Sequence, residues 1–159
     1  MNPTPLRLYN TFSRSKEELR PNHPGEVKIY SCGPTVYRYV HVGNLRTFML
    51  PDLLCRSLEY LGYRTEQVMN ITDVGHLTDD TFDRGEDKML VAARVESKSP
   101  AEIANHYTAT FMEDAAKLNI RRAAQYPRAT DYIAEMLSLI ERLISKGHAY
   151  EVDLSLIHI

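Results

Sequence analysis

The sequence predicts an α/β fold that begins with a parallel β-α-β unit and continues as helices. Two short apolar strands, at residues 27–31 and 63–71, flank a helical stretch at residues 45–61 whose apolar side chains fall largely on one face. A glycine–proline turn follows the first strand, and the chain after residue 75 shows the helical spacing of three and four. Such units cross over right-handed and bind ligands at the carboxyl ends of their parallel strands.

The elements of the first half follow from local patterns. Alternation predicts a short strand at residues 6–11, and the polar residues 13–24, with two prolines, predict a surface connection. Within the helix at 45–61, Pro51 predicts a kink or a restart. Gly62 predicts the helix end.

The second half reads as helices. Residues 87–95 predict a short amphipathic helix. A capping box with proline at the first helical position, at residues 99–102, opens a helix that runs to about residue 119. A further apolar repeat starts at Thr130 and ends at Gly147.

The composition excludes several classes of protein. The chain has 159 residues, 43% of them hydrophobic and 25% charged, with a formal net charge of −2. That charge gives no electrostatic signature for nucleic acid, and no apolar run approaches the roughly 18 residues that span a bilayer. With only two cysteines in different contexts, a disulfide framework is not indicated. We expect a cytoplasmic protein without membrane attachment.

The first chemically informative residue is Cys32, which ends the strand at residues 27–31. A thiolate there is a candidate zinc ligand in an open site completed by other residues. The alternative is a small buried hydrophobe, the usual role of a free cysteine. No second cysteine stands at metal spacing, and Cys55 falls in the helical stretch as a core residue.

The second informative element is the sequence His41-Val42-Gly43-Asn44, which follows the strand and turn and directly precedes the helix. Gly43 permits close approach of a phosphate-bearing ligand to the backbone. His41 is able to donate to a developing pentacoordinate phosphorus. A His-x-Gly match alone is weak, but its position predicts a nucleotide site.

Polar residues elsewhere have competing interpretations. Thr72 and Asp73 close the second strand and face the same crevice as Cys32 if the strands are parallel, but such residues also serve as helix caps. An acidic stretch fits no calcium loop and reads as solvated: Asp79, Asp80, Asp83, Glu86 and Asp87. A small basic cluster is a candidate for a phosphate contact, but a solvated helix-to-helix connection is the favoured interpretation: Arg121, Arg122 and Arg128.

Six separated blocks in a fixed order carry a family resemblance. From residue 6 to about residue 151, the chain closely resembles the amino-terminal part of the bacterial cysteinyl-tRNA synthetases, which are class I aminoacyl-tRNA synthetases. The blocks are Leu-Tyr-Asn-Thr, Tyr-Ser-Cys-Gly-Pro-Thr-Val-Tyr, His-Val-Gly-Asn, Asn-Ile-Thr-Asp, Pro-Arg-Ala-Thr and Lys-Gly-His-Ala-Tyr. The resemblance implies a Rossmann-like nucleotide-binding fold followed by a helical insertion. It also implies attachment of L-cysteine to tRNA(Cys) through a cysteinyl-adenylate, with ATP and magnesium, one zinc ion and a monomeric full-length enzyme.

The resemblance also implies roles for single residues. Cys32 corresponds to the first zinc ligand, which binds the substrate thiolate through the metal. The cysteine pocket is implied at Gly33, Thr35 and Thr72. ATP is implied to bind along the signature, at His41, Val42, Gly43 and Asn44. His41 and Asn44 are implied to act catalytically, although Asn44 stands where many members have a second histidine.

The resemblance implies a division of the chain into two parts. Residues 1–75 correspond to the first half of the catalytic domain, and residues 76–151 to the start of the insertion. Residues 154–159 match the translation of a transposase adapter used in sequencing libraries, and a genuine apolar last strand is the alternative. We expect a truncated chain whose remaining zinc ligands lie beyond its end, and which neither activates cysteine nor binds zinc tightly by itself.

Two other functions stay open. The cysteine ligase of mycothiol synthesis resembles the same half and passes cysteine to an amino sugar. Thr35-Val36-Tyr37 favours the synthetase over the Thr-Pro-Tyr of that ligase. A short paralogue that binds tRNA or nucleotide without catalysis is the other alternative.

Overall fold

The computed structural model describes residues 6–74, 77–79, 84–152 and 155–158. Its strands are β1 Arg7–Asn10, β2 Ser15–Glu18, β3 Glu26–Ser31, β4 Arg64–Met69, β5 Leu77–Asp79, β6 Arg84–Asp87, β7 Ala149–Val152 and β8 Ser155–His158. Its helices are α1 Val42–Tyr60, α2 Lys88–Glu96, α3 Pro100–Lys117 and α4 Ile133–Ser145, with a 3-10 turn at Ala129–Tyr132 before α4.

The predicted β-α-β unit is confirmed. β3 and β4 pair in parallel, from Glu26 opposite Arg64 to Ser31 opposite Met69. Helix α1 connects the two strands and contacts both. It starts at Val42, three residues earlier than predicted, and continues through Pro51 without a restart. The earlier start follows from capping by the residue before Val42, which the apolar pattern does not reveal.

A third parallel segment continues this sheet beyond β4. In residues 124–129, the Gln125 and Pro127 carbonyls accept from the amides of Met69 and Ile71, at 3.1 and 2.8 Å, and the Ala129 amide donates back to the Ile71 carbonyl at 3.0 Å. The sequence predicts only a connection between two helices here, so it misses this segment of the sheet. This segment contains a proline and no apolar alternation, so backbone pairing alone reveals it.

The other strands of the described residues pair as three antiparallel hairpins. They are β1 with β2, β5 with β6, and β7 with β8. The surface connection predicted at residues 13–24 contains β2, whose four residues are all exposed and therefore carry no hydrophobic pattern. β8 lies within the stretch predicted to be adapter-encoded, and its origin stays a prediction, as does the domain division at residue 75.

Helix α3 joins two apolar clusters. One face of α3 packs on the loop after β3, on the end of β4 and on α2, through Val36, Ile71, Ala93, Ile103, Ala104 and Tyr107. The next turns of α3 pack on α1 and β4, through Phe48, Met69, Phe111 and Ala115. The capping box predicted for α3 is confirmed, since the Ser99 side chain accepts from the Glu102 amide and the Glu102 carboxylate accepts from the Ser99 amide.

Helix α4 confirms the predicted repeat and ends near Gly147, whose φ of 72° suits glycine. Much of its apolar side is exposed, including Leu137 and Ile144. None of the helices in the described ranges is long and apolar enough to cross a membrane.

A buried carboxylate ties α1 to the chain after α3. Asp52 accepts from Arg56 Nε at 2.8 Å, and from both the backbone amide and Nε of Arg121 at 3.3 Å. The Arg121 guanidinium also pairs with Glu59 at 2.7 Å. Arg121 lies in the predicted connection and its side chain is 43% exposed, but its pairing with Asp52 and Glu59 was not predicted.

We predict that Asp52→Asn lowers the free energy of unfolding by about 2 kcal/mol, because the side chain of Asp52 is only 8% exposed and accepts three charge-assisted or backbone bonds. Glu59→Gln is the matched control. Its side chain is 40% exposed, so solvent screens its pairing with Arg121 and we expect a clearly smaller loss. Urea unfolding of both variants measures the difference, and equal losses would contradict a special role for Asp52.

Candidate active site

The loop after β3 is bound to the residues that follow β4. The Gly33 amide donates to Oδ1 of Asn70 at 3.1 Å. The Thr72 amide donates to the Pro34 carbonyl at 3.0 Å, and the Val36 amide donates to the Thr72 carbonyl at 3.1 Å. The carboxyl ends of the two parallel strands therefore form one fixed edge, where α/β folds bind ligands.

Gly33 is required by this arrangement. A Cβ built on Gly33 would lie 1.7 Å from the backbone oxygen of Asn70, so the two segments approach as closely as glycine permits. Thr35 forms a parallel bridge with Thr72, and Nδ2 of Asn70 donates to the Thr72 hydroxyl at 3.1 Å. The three predicted cysteine-pocket residues are thus neighbours at this edge, and their contact with cysteine stays a prediction.

Asn70 is the residue that sequence reasoning missed here. Its side chain bonds both the Gly33 amide and the Thr72 hydroxyl, so it organises two of the predicted pocket residues. An asparagine that ends a strand is a local signal for such side-chain to backbone bonding.

The two cysteines have opposite environments. Cys32 is exposed beside the turn at Gly33, whereas Cys55 is buried in α1. Burial raises the pKa of the Cys55 thiol above its ordinary value. The alternative that Cys32 is a buried hydrophobe is wrong, and the expectation that Cys55 is a core residue is confirmed.

We predict that one thiol of the folded chain reacts readily with iodoacetamide. The thiolate is the reactive form, so the exposed Cys32 labels first and Cys55 labels only on unfolding. Mass spectrometry of the labelled peptides measures the order, and unfolded chain in urea is the control. Equal labelling rates in the folded protein would contradict the burial of Cys55.

His41 caps helix α1 with its imidazole. The Gly43 amide donates to His41 Nδ1 at 3.1 Å, and the His41 amide donates to Oδ1 of Asn44 at 3.2 Å. The two side chains form a capping box, an arrangement usually made by smaller residues. The structure therefore gives Asn44 a capping bond, and its predicted catalytic role stays a prediction.

The capping bond determines which ring nitrogen of neutral His41 carries the proton. Because Nδ1 accepts the Gly43 amide, the neutral ring carries its proton on Nε2, which becomes the donor of an exposed side chain. A Cβ on Gly43 would lie 2.9 Å from Cε1 of this ring, so the glycine also leaves room for the cap. An Nε2–H donor next to the amino terminus of a long helix suits an anion such as phosphate.

Other predicted candidates lie outside this arrangement. Asp73 accepts from the Thr130 amide at 3.0 Å and from its hydroxyl at 2.7 Å, so its carboxylate binds the distant 3-10 turn before α4 and does not cap a helix that begins beside it. Of the acidic stretch, Asp80 and Asp83 lie outside the described residues. Within the described ranges, no group of three or more His, Cys, Asp or Glu side chains could hold a metal ion.

Comparisons with known proteins show which family the chain resembles. A family profile described as the tRNA synthetases class I (C) catalytic domain matches residues 18–158. A cysteine–tRNA ligase of Novosphingobium aromaticivorans is 50% identical over 149 residues, which are 94% of this chain and 30% of the relative. A cysteine–tRNA ligase of Treponema denticola is 51% identical over 145 residues, which are 91% of this chain and 29% of the relative. The chain thus spans about a third of the length of these relatives.

Solved structures share the fold. A LeuRS–tRNA–LeuAMS ternary complex from Agrobacterium radiobacter K84 matches 84% of this chain and 16% of its own, with a TM-score of 0.61 and 21% identity. A structure titled putative arginyl tRNA synthetase from Campylobacter jejuni matches 85% of this chain and 37% of its own, with a TM-score of 0.53 and 13% identity. The α/β fold predicted from the sequence is confirmed, and the chain belongs to the family of class I tRNA synthetase (C) catalytic domains.

Proposed function

We propose that this chain supplies the ATP-binding part of an enzyme that attaches L-cysteine to tRNA(Cys) through a cysteinyl-adenylate. The observation that carries the proposal is the cap of α1, where His41 accepts the Gly43 amide at Nδ1 and keeps Nε2–H as a donor beside the helix amino terminus. The names of the relatives, cysteine–tRNA ligase, favour this substrate pair.

The first step joins the carboxylate of cysteine to the α-phosphate of ATP. A carboxylate oxygen of cysteine attacks the α-phosphorus of ATP, the bond to the bridging oxygen breaks, and pyrophosphate leaves with its electron pair. Negative charge grows on the equatorial and leaving oxygens, so His41 Nε2–H and the positive amino-terminal end of the α1 dipole stabilise the transition state. In the second step, a 3′-terminal hydroxyl of the tRNA attacks the acyl carbon, the bond from that carbon to the phosphate oxygen breaks, and AMP leaves with the electron pair while the hydroxyl proton is released.

The cysteine pocket is proposed at Gly33, Thr35 and Thr72. Asn70 bonds Gly33 and Thr72, and Thr35 is bridged to Thr72. Cys32, exposed beside them, offers one thiolate of the kind that zinc prefers. A zinc ion there would ligate the substrate thiolate and so distinguish cysteine from serine. It needs further ligands than those that the described residues bring together, so no step is assigned to it. We also propose magnesium with ATP, a monomer and a cytoplasmic location.

A chimera tests the proposal. The segment of the Treponema denticola relative that matches this chain is replaced by the corresponding residues here, and the purified chimera is assayed for cysteine-dependent exchange of pyrophosphate into ATP. We expect exchange with cysteine but not serine, followed by transfer to tRNA(Cys). The parent relative is the positive control. A folded chimera that binds ATP without exchange would favour the non-catalytic alternative, and transfer to an amino sugar but not to tRNA would favour the ligase alternative. Either result would overturn the proposal.

A further inference from the structure

We propose that Tyr39 is a positioning residue, which holds the turn bearing His41 against helix α3. The kinetic consequence of this inference rests on the proposed function, whereas the structural consequence does not. Nothing in the signature pattern itself includes Tyr39, which stands two residues before His41.

Helix α3 is the support of this turn. Val36, at the start of the turn, is 1% exposed and lies in the cluster with Ile103 and Tyr107 of α3. Val40, directly before His41, packs against the cluster that contains Phe111. The loop from β3 to α1 is therefore anchored on α3 on both sides of Tyr39.

Tyr39 adds a directional contact between these anchors. Its ring meets the Tyr107 ring edge to face, with centroids 5.1 Å apart and planes at 87°. It meets the His106 ring in the same manner, at 6.1 Å and 78°, and its hydroxyl lies 3.5 Å from His106 Nε2. Edge-to-face aromatic pairs stabilise a defined orientation beyond their buried area.

The partner ring is itself fixed. Tyr107 is only 8% exposed, and its hydroxyl donates to the Glu96 carboxylate. Lys98 in turn pairs with that carboxylate at 2.9 Å. The hydrogen bond to Glu96 and burial raise the pKa of Tyr107 to about 12, so the phenol remains a donor at neutral pH. Tyr39 therefore rests on a ring whose position α2 and α3 determine together.

The exposure of Tyr39 distinguishes a positioning role from a role in core packing. Tyr39 is 60% exposed, so its removal uncovers little buried surface. The Gly43 amide donates to His41 Nδ1 at 3.1 Å, and His41 lies two residues after Tyr39. A small tilt of the turn therefore moves the His41 imidazole while leaving the fold intact.

The kinetic test compares Tyr39→Ala with Tyr39→Phe in the chimera. We expect Tyr39→Ala to lower kcat for pyrophosphate exchange between about twofold and tenfold, with little change in KM for ATP. Tyr39→Phe keeps the ring and is expected to restore most of the rate. Tyr60→Ala, at the opposite end of α1 and 91% exposed, is the matched control and should leave the rate unchanged.

Full exchange activity with a defect only in transfer to tRNA would overturn positioning and favour stacking of an RNA base on the Tyr39 ring. An equal loss in Tyr39→Phe would also overturn the inference. An inactive wild-type chimera would count against the proposed function alone, since a second measurement addresses Tyr39 directly.

That measurement uses the 159-residue chain without any assay of activity. Ring 15N chemical shifts of His41 report which nitrogen carries the proton, and amide hydrogen exchange reports the Gly43 bond. We expect Tyr39→Ala, but not Tyr39→Phe or Tyr60→Ala, to mix the two tautomers and to speed exchange of the Gly43 amide. Unchanged shifts and exchange in Tyr39→Ala would overturn the inference.

Discussion

His41→Asn in the chimera is expected to reduce pyrophosphate exchange by about 10²- to 10³-fold, the usual effect of removing one donor to a developing oxyanion. The free energy of unfolding should change by about 0.5 kcal/mol or less, because asparagine is a favoured N-cap and its Oδ1 can accept the Gly43 amide that His41 Nδ1 accepts now. This substitution therefore removes the Nε2–H donor and keeps the cap.

His41→Ala is the matched comparison, since it removes both the donor and the cap. We expect the same loss of activity together with a loss of about 1 kcal/mol in stability. Exchange kinetics and urea unfolding of the two variants separate the two roles of one side chain. If His41→Asn retained most of its activity, the imidazole would serve α1 alone and the proposed part of Nε2–H would be wrong.

Gly33→Ala is expected to be the most destabilising single-atom change at the site, with a loss of about 3 kcal/mol. The added Cβ would stand 1.7 Å from the backbone oxygen of Asn70, and a backbone atom has no rotamer by which to withdraw. The turn must therefore separate from the end of β4. That movement breaks the bond from the Gly33 amide to Asn70 and displaces Cys32 and Thr35.

Gly25→Ala is the control for Gly33→Ala. Gly25 has a φ of 75° with nothing within 4 Å of its added Cβ, so it tests backbone strain without a collision. We expect it to cost about 1 kcal/mol. Thermal or urea unfolding compares the two variants, and a cost at Gly33 no greater than at Gly25 would contradict the close approach.

The β-α-β unit was predictable because buried residues recur in the sequence with the period of a strand or a helix. The apolar residues of β3 and α1 repeat with those two periods. Phe48 and Leu58 are buried as that pattern predicts, whereas Leu50 and Leu53 are 67% and 53% exposed. The capping box at Ser99 and Glu102 was predictable for a different reason, since both of its bonds form within four residues.

The remainder required contacts between distant residues. Residues 124–129 carry no strand pattern, and their place in the sheet depends on the carbonyls and amides of β4. The bonds of Asn70 and the pairing of Arg121 with Asp52 likewise join segments that no local rule connects. At the candidate site, the sequence indicated which residues carry chemistry, while the cap of α1 determined which nitrogen of His41 donates.

The bond between Asp73 and Thr130 spans 57 positions of the chain. The loop between these two residues must close before residues 124–129 can pair beside β4. Closing a loop of this length slows folding. Helix α3 lies within that loop, so its docking brings the two ends together. We therefore expect the candidate site to form late in folding, after α3 has docked, with residues 124–129 as the last segment to join it.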